Sequence, residues 1–235
     1  MKHFAVGIIP ARGGSKRIPK KNLTKINGKP LLAYTIRVAL ESSFLRNNIF
    51  VSTQDSEIAK ISKKFGAHII KRPKELASAR ASTLSALQHS VITLENAGLD
   101  FDTVVVLQPT SPFRHVKTID KGIQKLWNNW RGMDAVFSVS KTRFPPSWML
   151  RLVEDKLEFI YPNDFSKIRG QDLEITYEFD GVLYVLKKDL VMKSKLYPFS
   201  QGRTGYLVSD KVESIDIDDA EDLEITRAIA KYIKL

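Results

Sequence analysis

Residues 4–22 carry the sequence FAVGIIPARGGSKRIPKKN, in which an apolar run is followed directly by a basic loop that contains two glycines. A continuous apolar run such as residues 4–9 is typical of a strand buried on both faces, as strands of parallel sheets are. We therefore predict that this run is the central strand of a sheet. The loop would then lie at the strand's carboxyl end, where α/β proteins bind their ligands.

Beyond this stretch, predicted strands alternate with predicted helices along the chain. The strands are predicted at residues 48–53, 67–70, 102–107, 135–139 and 181–186. The helices are predicted at residues 30–40, 55–65, 83–96, 119–126 and 219–233. This alternation favours an α/β fold of the Rossmann-like type, with a doubly wound, mainly parallel sheet.

The composition excludes several classes of protein. The chain has 235 residues, 43% hydrophobic and 27% charged, which is typical of one packed globular core and not of a disordered or fibrous chain. The absence of cysteine excludes disulfides, thiolate nucleophiles, iron–sulfur clusters and cysteine-containing zinc sites. The four histidines lack H-x-x-x-H spacing, which disfavours a histidine-based metal site. The composition still allows a site in which carboxylates bind a hard cation.

Hydropathy predicts no membrane segment. The sequence contains no run of about 18 apolar residues, and the apolar stretch that ends at residue 9 is too short for the core of a signal peptide. We therefore expect a cytoplasmic protein.

Residues 140–180 differ from the rest of the chain. They begin with an aromatic and proline-rich segment, FPPSW at 144–148, and show no helical periodicity. We predict a nucleotide-binding α/β core formed by residues 1–139 and 181–235, with residues 140–180 as a small excursion from it.

The net charge of +11 is concentrated near the start of the chain. Residues 1–80 contain 17 Lys and Arg against 4 Asp and Glu, whereas the remaining residues contain 20 against 22. Such a concentration indicates an anionic partner, with nucleic acid, nucleotide polyphosphate, a membrane surface and an acidic metabolite as the alternatives, or else a solvated basic face.

The loop at residues 11–22 is the strongest candidate for a binding site. Gly13 and Gly14 would let the backbone approach a ligand with its N–H groups exposed. The cationic side chains of the loop are Arg12, Lys16, Arg17, Lys20 and Lys21. The loop matches neither the Walker A nor the G-x-G-x-x-G pattern. Its position after the first strand favours a polyphosphate cradle over an exposed turn.

Asp216 and Asp218 form a second candidate site. In an extended segment both carboxylates would lie on one side while Ile217 points into the core. Mg²⁺ binds through one or two carboxylates together with waters and substrate phosphates, so this pair suits it. The alternative is that Asp218 or Asp219 caps the last helix and Asp216 is solvated.

A third candidate is the loop QPTSP at residues 108–112, in which two prolines stiffen a set of hydrogen-bonding side chains. Such a loop is suited to fixed polar recognition, although a tight surface turn would have the same composition.

Taken in order, several sequence blocks resemble the acylneuraminate cytidylyltransferases, the CMP-sialic acid synthetases, including those for legionaminic and pseudaminic acids. The blocks are IIPARGGSKRIPKKN at 8–22, VST at 51–53, RP at 72–73, LQPTSPFR at 107–114, QDL at 171–173 and SIDID at 214–218. The resemblance implies a nucleotide-diphospho-sugar transferase type of fold and an enzyme that uses CTP, Mg²⁺ and a nine-carbon α-keto acid sugar. It also implies a homodimer in which residues 140–180 reach towards the neighbouring subunit's site.

The resemblance assigns roles to individual positions. The implied nucleotide-binding residues are Ala11, Arg12, Gly13, Gly14, Ser15, Lys16, Lys21, Asn22, Arg72, Ala81 and Thr83. The implied sugar-binding residues are Gln108, Arg169, Gln171 and Tyr184. Asp216 and Asp218 are the implied metal ligands, and together with Arg12 and Lys21 they are the implied catalytic residues. The chain departs from the family pattern at Ala79, at Gly170, where the family often has a second arginine, and at Asp180, where it has asparagine.

Two alternatives to a nonulosonic acid cytidylyltransferase are considered. One is activation of an eight-carbon keto-deoxy sugar acid, which the QPTSP loop disfavours. The other is a nucleic-acid-binding protein that uses the basic N-terminal third. That alternative is disfavoured because residues 11–29 contain no interleaved aromatics and no recognised module. We therefore expect neither a nucleic acid nor a membrane as a partner.

Overall fold

The computed structural model describes residues 3–78, 81–161, 174–195 and 202–233. The strands in these ranges are β1 (Ala5–Pro10), β2 (Lys25–Ile26), β3 (Lys29–Pro30), β4 (Ile49–Thr53), β5 (His68–Lys71), β6 (Thr103–Val106), β7 (Ala135–Lys141), β8 (Leu150–Val153), β9 (Lys156–Phe159), β10 (Tyr177–Lys187) and β11 (Thr204–Val208). The α-helices are α1 (Leu31–Leu40), α2 (Ser56–Lys64), α3 (Thr83–Asn96), α4 (Val116–Asn128), α5 (Lys188–Lys193) and α6 (Ala220–Tyr232).

Seven strands form one central sheet in the order β11-β7-β10-β6-β1-β4-β5. Neighbouring strands pair in parallel except at β10, which is antiparallel to both β6 and β7. The predicted doubly wound, mainly parallel α/β sheet is confirmed.

Strand β1 occupies the position at which the strand order reverses. It pairs with β4 on one side and with β6 on the other, and all but its last residue are buried. The loops that follow β1 and β6 therefore leave the sheet side by side at its carboxyl edge. In open α/β sheets this is the point at which ligands bind.

Two apolar clusters cover the two faces of the sheet. The first contains residues of α1, α2 and α4, including Ile36, Ile58 and Ile123. The second contains residues of α3 and α5, including Leu87 and Val191. The sheet therefore lies between two layers of helices, because each face buries apolar side chains against its own set.

A third, smaller apolar cluster positions the segment before α6. Ile217 is fully buried in this cluster against residues such as Phe113 and Leu223. Asp219 caps α6 by accepting hydrogen bonds from the backbone N–H groups of Glu221 and Asp222. Because Ile217 is buried and Asp219 caps the helix, Asp216 and Asp218 are held in place by the fold itself.

Three elements were not predicted from the sequence: the β2–β3 pair, α5 and β11. The first has two residues in each strand, and α5 has only six residues, so neither shows a clear period. Strand β10 also begins four residues before the predicted strand, at Tyr177.

The antiparallel pair β8–β9 projects from the core within the predicted excursion. All residues of both strands are exposed, including Leu152 at 80% and Leu157 at 67%. The limits of the excursion remain a prediction. Across the described ranges, no helix is both long and apolar enough to span a bilayer.

Candidate active site

Two cavities lie at the carboxyl edge of the sheet and share Gln108 in their linings. The first has a volume of about 430 Å³ and is lined by Pro10, Arg12, Ser15, Lys16, Arg17, Lys21, Asn22, Arg72, Leu76, Ala81, Ser82, Thr83, Gln108, Pro109, Thr110 and Asp218. The second has a volume of about 310 Å³ and is lined by Gln108, Ser140, Glu178, Phe179, Asp180, Gly181, Tyr184, Ser214 and Asp216.

The loop after β1 is held in place by backbone and side-chain hydrogen bonds. The amide of Ala11 donates to the carbonyl of Ser52 at 3.0 Å, and Asn22 Nδ2 donates to the carbonyl of Arg12 at 3.0 Å. Gly13 lies so close to Asp55 that a Cβ at residue 13 would be 2.4 Å from Asp55 Oδ2. Asp55 in turn caps α2. At Gly13 a glycine is therefore required by close packing against the capping carboxylate.

Basic residues of this loop meet the acidic segment near the end of the chain. Lys21 Nζ donates to the carbonyl of Ile217 at 2.7 Å and lies 3.6 Å from Asp218 Oδ1. Arg17 lies 3.2 Å from Asp218 Oδ2. Two segments separated by almost 200 residues therefore form one charged cluster at the first cavity.

The first cavity is strongly cationic. Five basic side chains line it, and Asp218 is the one acidic residue in its described lining. Arg72 is buried and donates to the hydroxyl and the carbonyl oxygen of Ser52. Burial, with a further contribution from the charge of Arg12, lowers the pKa of Arg72 to about 10. Arg72 therefore keeps its positive charge at neutral pH, and the cavity is suited to a polyanion.

Asp216 and Asp218 offer the carboxylate oxygens that a hard cation requires. One oxygen of Asp216, Oδ1, is buried and has no hydrogen-bond partner among the described residues. Burial raises the pKa of Asp216 and the charge of Asp218 raises it further, while the Thr110 side chain and the charge of Lys21 act in the opposite direction. A divalent cation at this position would supply the missing partner and offset both effects, so these residues fit Mg²⁺.

The second cavity is polar and acidic. Tyr184 accepts a hydrogen bond from Gln108 Nε2 at 3.2 Å, and burial raises the pKa of Tyr184 to about 12. Asp180 is only 6% exposed. Its Oδ1 accepts hydrogen bonds from the hydroxyl of Ser138 and from the amide of Val182, whereas its buried Oδ2 has no hydrogen-bond partner in the described part of the chain. Asp180 therefore brings an unused acceptor to the second cavity.

Arg114 is buried next to both cavities and forms a hydrogen bond with Gln108, which lines both of them. Its guanidinium is buried and donates to the carbonyl oxygens of Val182 and Gln108 and to the hydroxyl of Thr35. Burial lowers the pKa of Arg114 to about 10, while the nearby carboxylates of Glu213, Asp180 and Asp216 act in the opposite direction. Sequence reasoning placed Arg114 in a motif but gave it no role.

The structure brings most of the predicted site residues together. The predicted residues that line the first cavity are Arg12, Ser15, Lys16, Lys21, Asn22, Arg72, Ala81, Thr83, Gln108 and Asp218. Tyr184 and Asp216 line the second cavity, as does Gln108. The remaining predicted loop residues, Ala11, Gly13 and Gly14, are not among the lining residues of either cavity. Arg169 and Gln171 lie outside the described residues.

Sequence reasoning missed three contributors to the site besides Arg114. Asp180 was noted only as a departure from the family pattern. Asp222 accepts hydrogen bonds from the amides of Asp218 and Asp219, so it orients the acidic segment. The amide of Ile217 donates to the carbonyl of Thr110 at 3.0 Å, which joins that segment to the QPTSP loop. The acidic first turn of α6 was a signal for Asp222, but no local pattern indicates the Thr110 contact.

Comparison with known proteins identifies the family of this chain. Residues 6–227 match the family model described as Cytidylyltransferase. The chain belongs to the cytidylyltransferase family. The predicted family and the predicted class of enzyme, a nucleotidyltransferase, are therefore confirmed.

Three relatives are similar over nearly the whole of this chain. The N-acylneuraminate cytidylyltransferase of Escherichia coli O18:K1:H7 is 32% identical over 231 residues, which are 97% of this chain and 52% of that protein. The CMP-N,N'-diacetyllegionaminic acid synthase of Legionella pneumophila is 33% identical over 95% of both chains. The pseudaminic acid cytidylyltransferase of Campylobacter jejuni serotype O:23/36 is 32% identical over 95% of both. This cytidylyltransferase thus spans about half the length of the Escherichia coli relative.

A solved structure supports the fold independently. The structure of a CMP:2-keto-3-deoxy-manno-octonic acid synthetase complexed with CTP superimposes with a TM-score of 0.71 at 20% sequence identity, covering 97% of this chain and 99% of that one. At this identity the likeness concerns the fold alone, and it agrees with the predicted Rossmann-like architecture.

Replacement of Arg114 by lysine tests whether this buried guanidinium organises the site. We expect Arg114→Lys to lower the free energy of unfolding by about 2–4 kcal/mol, because an ammonium group cannot reach the three acceptors at once and leaves buried oxygens unpaired. Urea unfolding measures the change. Arg46→Lys, at an exposed arginine, is the matched control and should change the stability by less than about 0.5 kcal/mol. Equal stability of the two variants would contradict the role given to Arg114.

Proposed function

We propose that this cytidylyltransferase couples CTP to the anomeric hydroxyl of a nonulosonic, sialic-acid-like sugar, which gives a CMP-sugar and pyrophosphate. The observation that carries the proposal is the convergence of Arg17, Lys21 and Asp218 at the first cavity, next to a second cavity of different chemistry. One cavity suits a polyphosphate, whereas the other suits a ligand rich in hydroxyl groups.

In this proposal the first cavity binds CTP. Arg12, Lys16 and Lys21 contact the triphosphate, and Asn22 holds the loop that carries them. Arg72 borders the cytidine together with Ala81 and Thr83. Concentration of the basic residues around a cavity, rather than along an open stripe, favours a nucleotide over a nucleic acid as the anionic partner.

We also propose that Asp216 and Asp218 hold Mg²⁺. The buried, unpartnered Oδ1 of Asp216 and the proximity of the two carboxylates support this assignment. When bound, Mg²⁺ would neutralise charge on the phosphate oxygens and orient them.

The reaction would be an in-line displacement at phosphorus. The anomeric oxygen of the sugar bonds to the α-phosphorus of CTP, the bond from that phosphorus to the bridging oxygen of the β-phosphate breaks, and pyrophosphate leaves while the hydroxyl proton is released. Negative charge builds on the leaving group, so preorganised cations such as Lys21 and Arg12 would stabilise the transition state more than the substrates.

The second cavity is proposed to bind the sugar through Gln108 and Tyr184, and Asp180 would accept a hydrogen bond from it. The relatives at 32–33% identity are named for neuraminate, legionaminate and pseudaminate, which supports a nine-carbon acid over the eight-carbon alternative. Of the predicted sugar-binding residues, Arg169 and Gln171 remain part of the proposal. Because CTP is a cytoplasmic metabolite, we propose a cytoplasmic location.

A homodimer is proposed on the basis of the projecting β8–β9 pair. Leu150, Leu152 and Leu157 are exposed large hydrophobic residues that are close together in this pair, and no described element buries them. Exposed apolar patches of this kind mark protein interfaces. A second copy of the chain would bury them, as the family resemblance implies.

The enzymatic proposal is tested by incubating the protein with CTP, Mg²⁺ and a panel of nonulosonic acids. We expect pyrophosphate release and a CMP-sugar identified by mass spectrometry. Asp218→Asn should reduce turnover at least about 100-fold, because it removes a charge that binds the cation at the reacting phosphate. Asp100→Asn, at an exposed position near the opposite edge of the sheet, is the control. No product with any sugar would refute the reaction, and a fully active Asp218→Asn would refute the metal site.

Asp180→Asn tests the sugar subsite. The amide of Val182 and the hydroxyl of Ser138 require an acceptor at Oδ1, so asparagine would place its oxygen there and its NH₂ group at the position of Oδ2. A donor of the sugar would then face another donor. We expect KM for the sugar to rise at least about tenfold while KM for CTP stays unchanged. Steady-state kinetics with Asp189→Asn as the control separate these effects; an equal rise in both KM values would count against the assignment.

The dimer is tested by light scattering. The wild-type protein should have twice the 26.6 kDa mass of one chain, whereas Leu152→Asp should be monomeric because it places a charge in the apolar interface. Ile225→Asp, at an exposed residue of α6, should remain dimeric. A monomeric wild-type protein, or a Leu152→Asp variant that still dimerises, would show that β8–β9 is not the interface.

A further inference from the structure

Near the second cavity, three side chains outside the Asp216 and Asp218 pair converge on one point: His115, Asp210 and Glu213. His115 Nδ1 lies 4.0 Å from Asp210 Oδ2 and 3.9 Å from Glu213 Oε2. These separations are too long for hydrogen bonds. We propose that the three residues bind a divalent cation of the zinc type, at a site separate from the one proposed for Mg²⁺.

Backbone hydrogen bonds aim both carboxylates at this point. Asp210 Oδ1 accepts from the amides of Val212 and Glu213, each at 2.8 Å. Glu213 Oε1 accepts from the amide of His115 at 2.9 Å. In each carboxylate, one oxygen is therefore used by the backbone and the other faces the imidazole. Anchoring of ligands by outer hydrogen bonds is a regular feature of metal sites.

Among the three residues, Glu213 gives the main indication of a bound cation. The residue is only 3% exposed, yet no hydrogen bond is made by its Oε2 within the described ranges. A carboxylate whose side chain is mostly removed from water is costly unless opposite charge faces it. The buried guanidinium of Arg114 faces Glu213 but also the carboxylates of Asp180 and Asp216, so negative charge is in excess there. A bound cation would reduce this excess.

The spacing suits an ion of this size. An ion equidistant from three atoms that are roughly 4 Å apart lies about 2.3–2.5 Å from each, and zinc binds nitrogen and oxygen ligands at about 2.0–2.2 Å. The small contraction required falls on the imidazole of His115 and on Oδ2 of Asp210, and both side chains are more than half exposed. Water would complete the coordination. One imidazole with two carboxylates favours zinc over Mg²⁺, which prefers oxygen ligands only.

The site would join two segments that carry residues of the proposed active site. His115 immediately follows the segment that contains Gln108 and Arg114 and precedes α4, and the turn that contains Asp210 and Glu213 leads into Asp216. A bound ion would tie these segments together. The folded protein would gain stability because the unfolded chain does not present the three ligands together.

The test is calorimetric titration of the full chain with Zn²⁺ in excess Mg²⁺, which occupies oxygen-only sites. We expect one Zn²⁺ per chain and a binding constant at least tenfold weaker in His115→Gln and in Asp210→Asn. The melting temperature should rise by several degrees with Zn²⁺ in the wild type and clearly less in these two variants. His115 makes no side-chain cap to α4, and asparagine at residue 210 keeps the oxygen that the turn requires. Both variants should therefore fold.

His68→Gln, at another exposed histidine, is the matched control and should bind Zn²⁺ as the wild type does. The proposal is overturned if the wild type binds no Zn²⁺, or if His115→Gln binds it with unchanged affinity. It is also overturned if Asp218→Asn abolishes the binding, since the ion would then occupy the other carboxylate pair. None of these measurements depends on the proposed reaction.

Discussion

The buried guanidinium of Arg114 is the constraint on which the arrangement of the site depends. It is held by the carbonyl oxygens of Val182 and Gln108 and by the hydroxyl of Thr35, which belong to three separate segments of the chain. A buried charge is tolerated only when hydrogen bonds and opposite charges surround it. Once Arg114 is buried, the QPTSP loop, β10 at Val182 and the acidic segment near α6 have to come together around it.

The two cavities owe their different chemistry to this convergence. The loop after β1 supplies cations to the first, whereas Glu178, Asp180 and Asp216 make the second acidic. Gln108 contributes to both, so a ligand group in one cavity lies next to a group in the other. A transfer between a polyanion and a hydroxyl-rich acceptor requires this adjacency, because reacting atoms must be held in contact and in line.

Much of the fold was predictable because it is encoded locally. The apolar run of β1 and the alternation of strands with helices predicted the sheet, and the helix predicted at residues 55–65 contains α2. The basic loop was predicted from its glycines, its cations and its position after the first strand, whereas the Asp216 and Asp218 pair was predicted from its alternating spacing. Contacts between distant segments have no such local signal. The burial of Arg114, the unpartnered Oδ2 of Asp180 and the contact of Thr110 with Ile217 follow from tertiary packing. Helix α5 has six residues and is too short to show a period.

The position of the acidic pair shows how packing of apolar residues can prepare a site for charge. Ile217 lies between the two aspartates and is fully buried in the cluster beneath α6. Its amide donates to the carbonyl of Thr110, and its carbonyl accepts from Lys21. The backbone of this one residue therefore connects the acidic segment to the QPTSP loop and to the loop after β1. The carboxylates are thus oriented before any ligand arrives, and the conformational cost of placing them is met when the chain folds. Electrostatic stabilisation is most effective when the charged groups need not reorganise during the reaction.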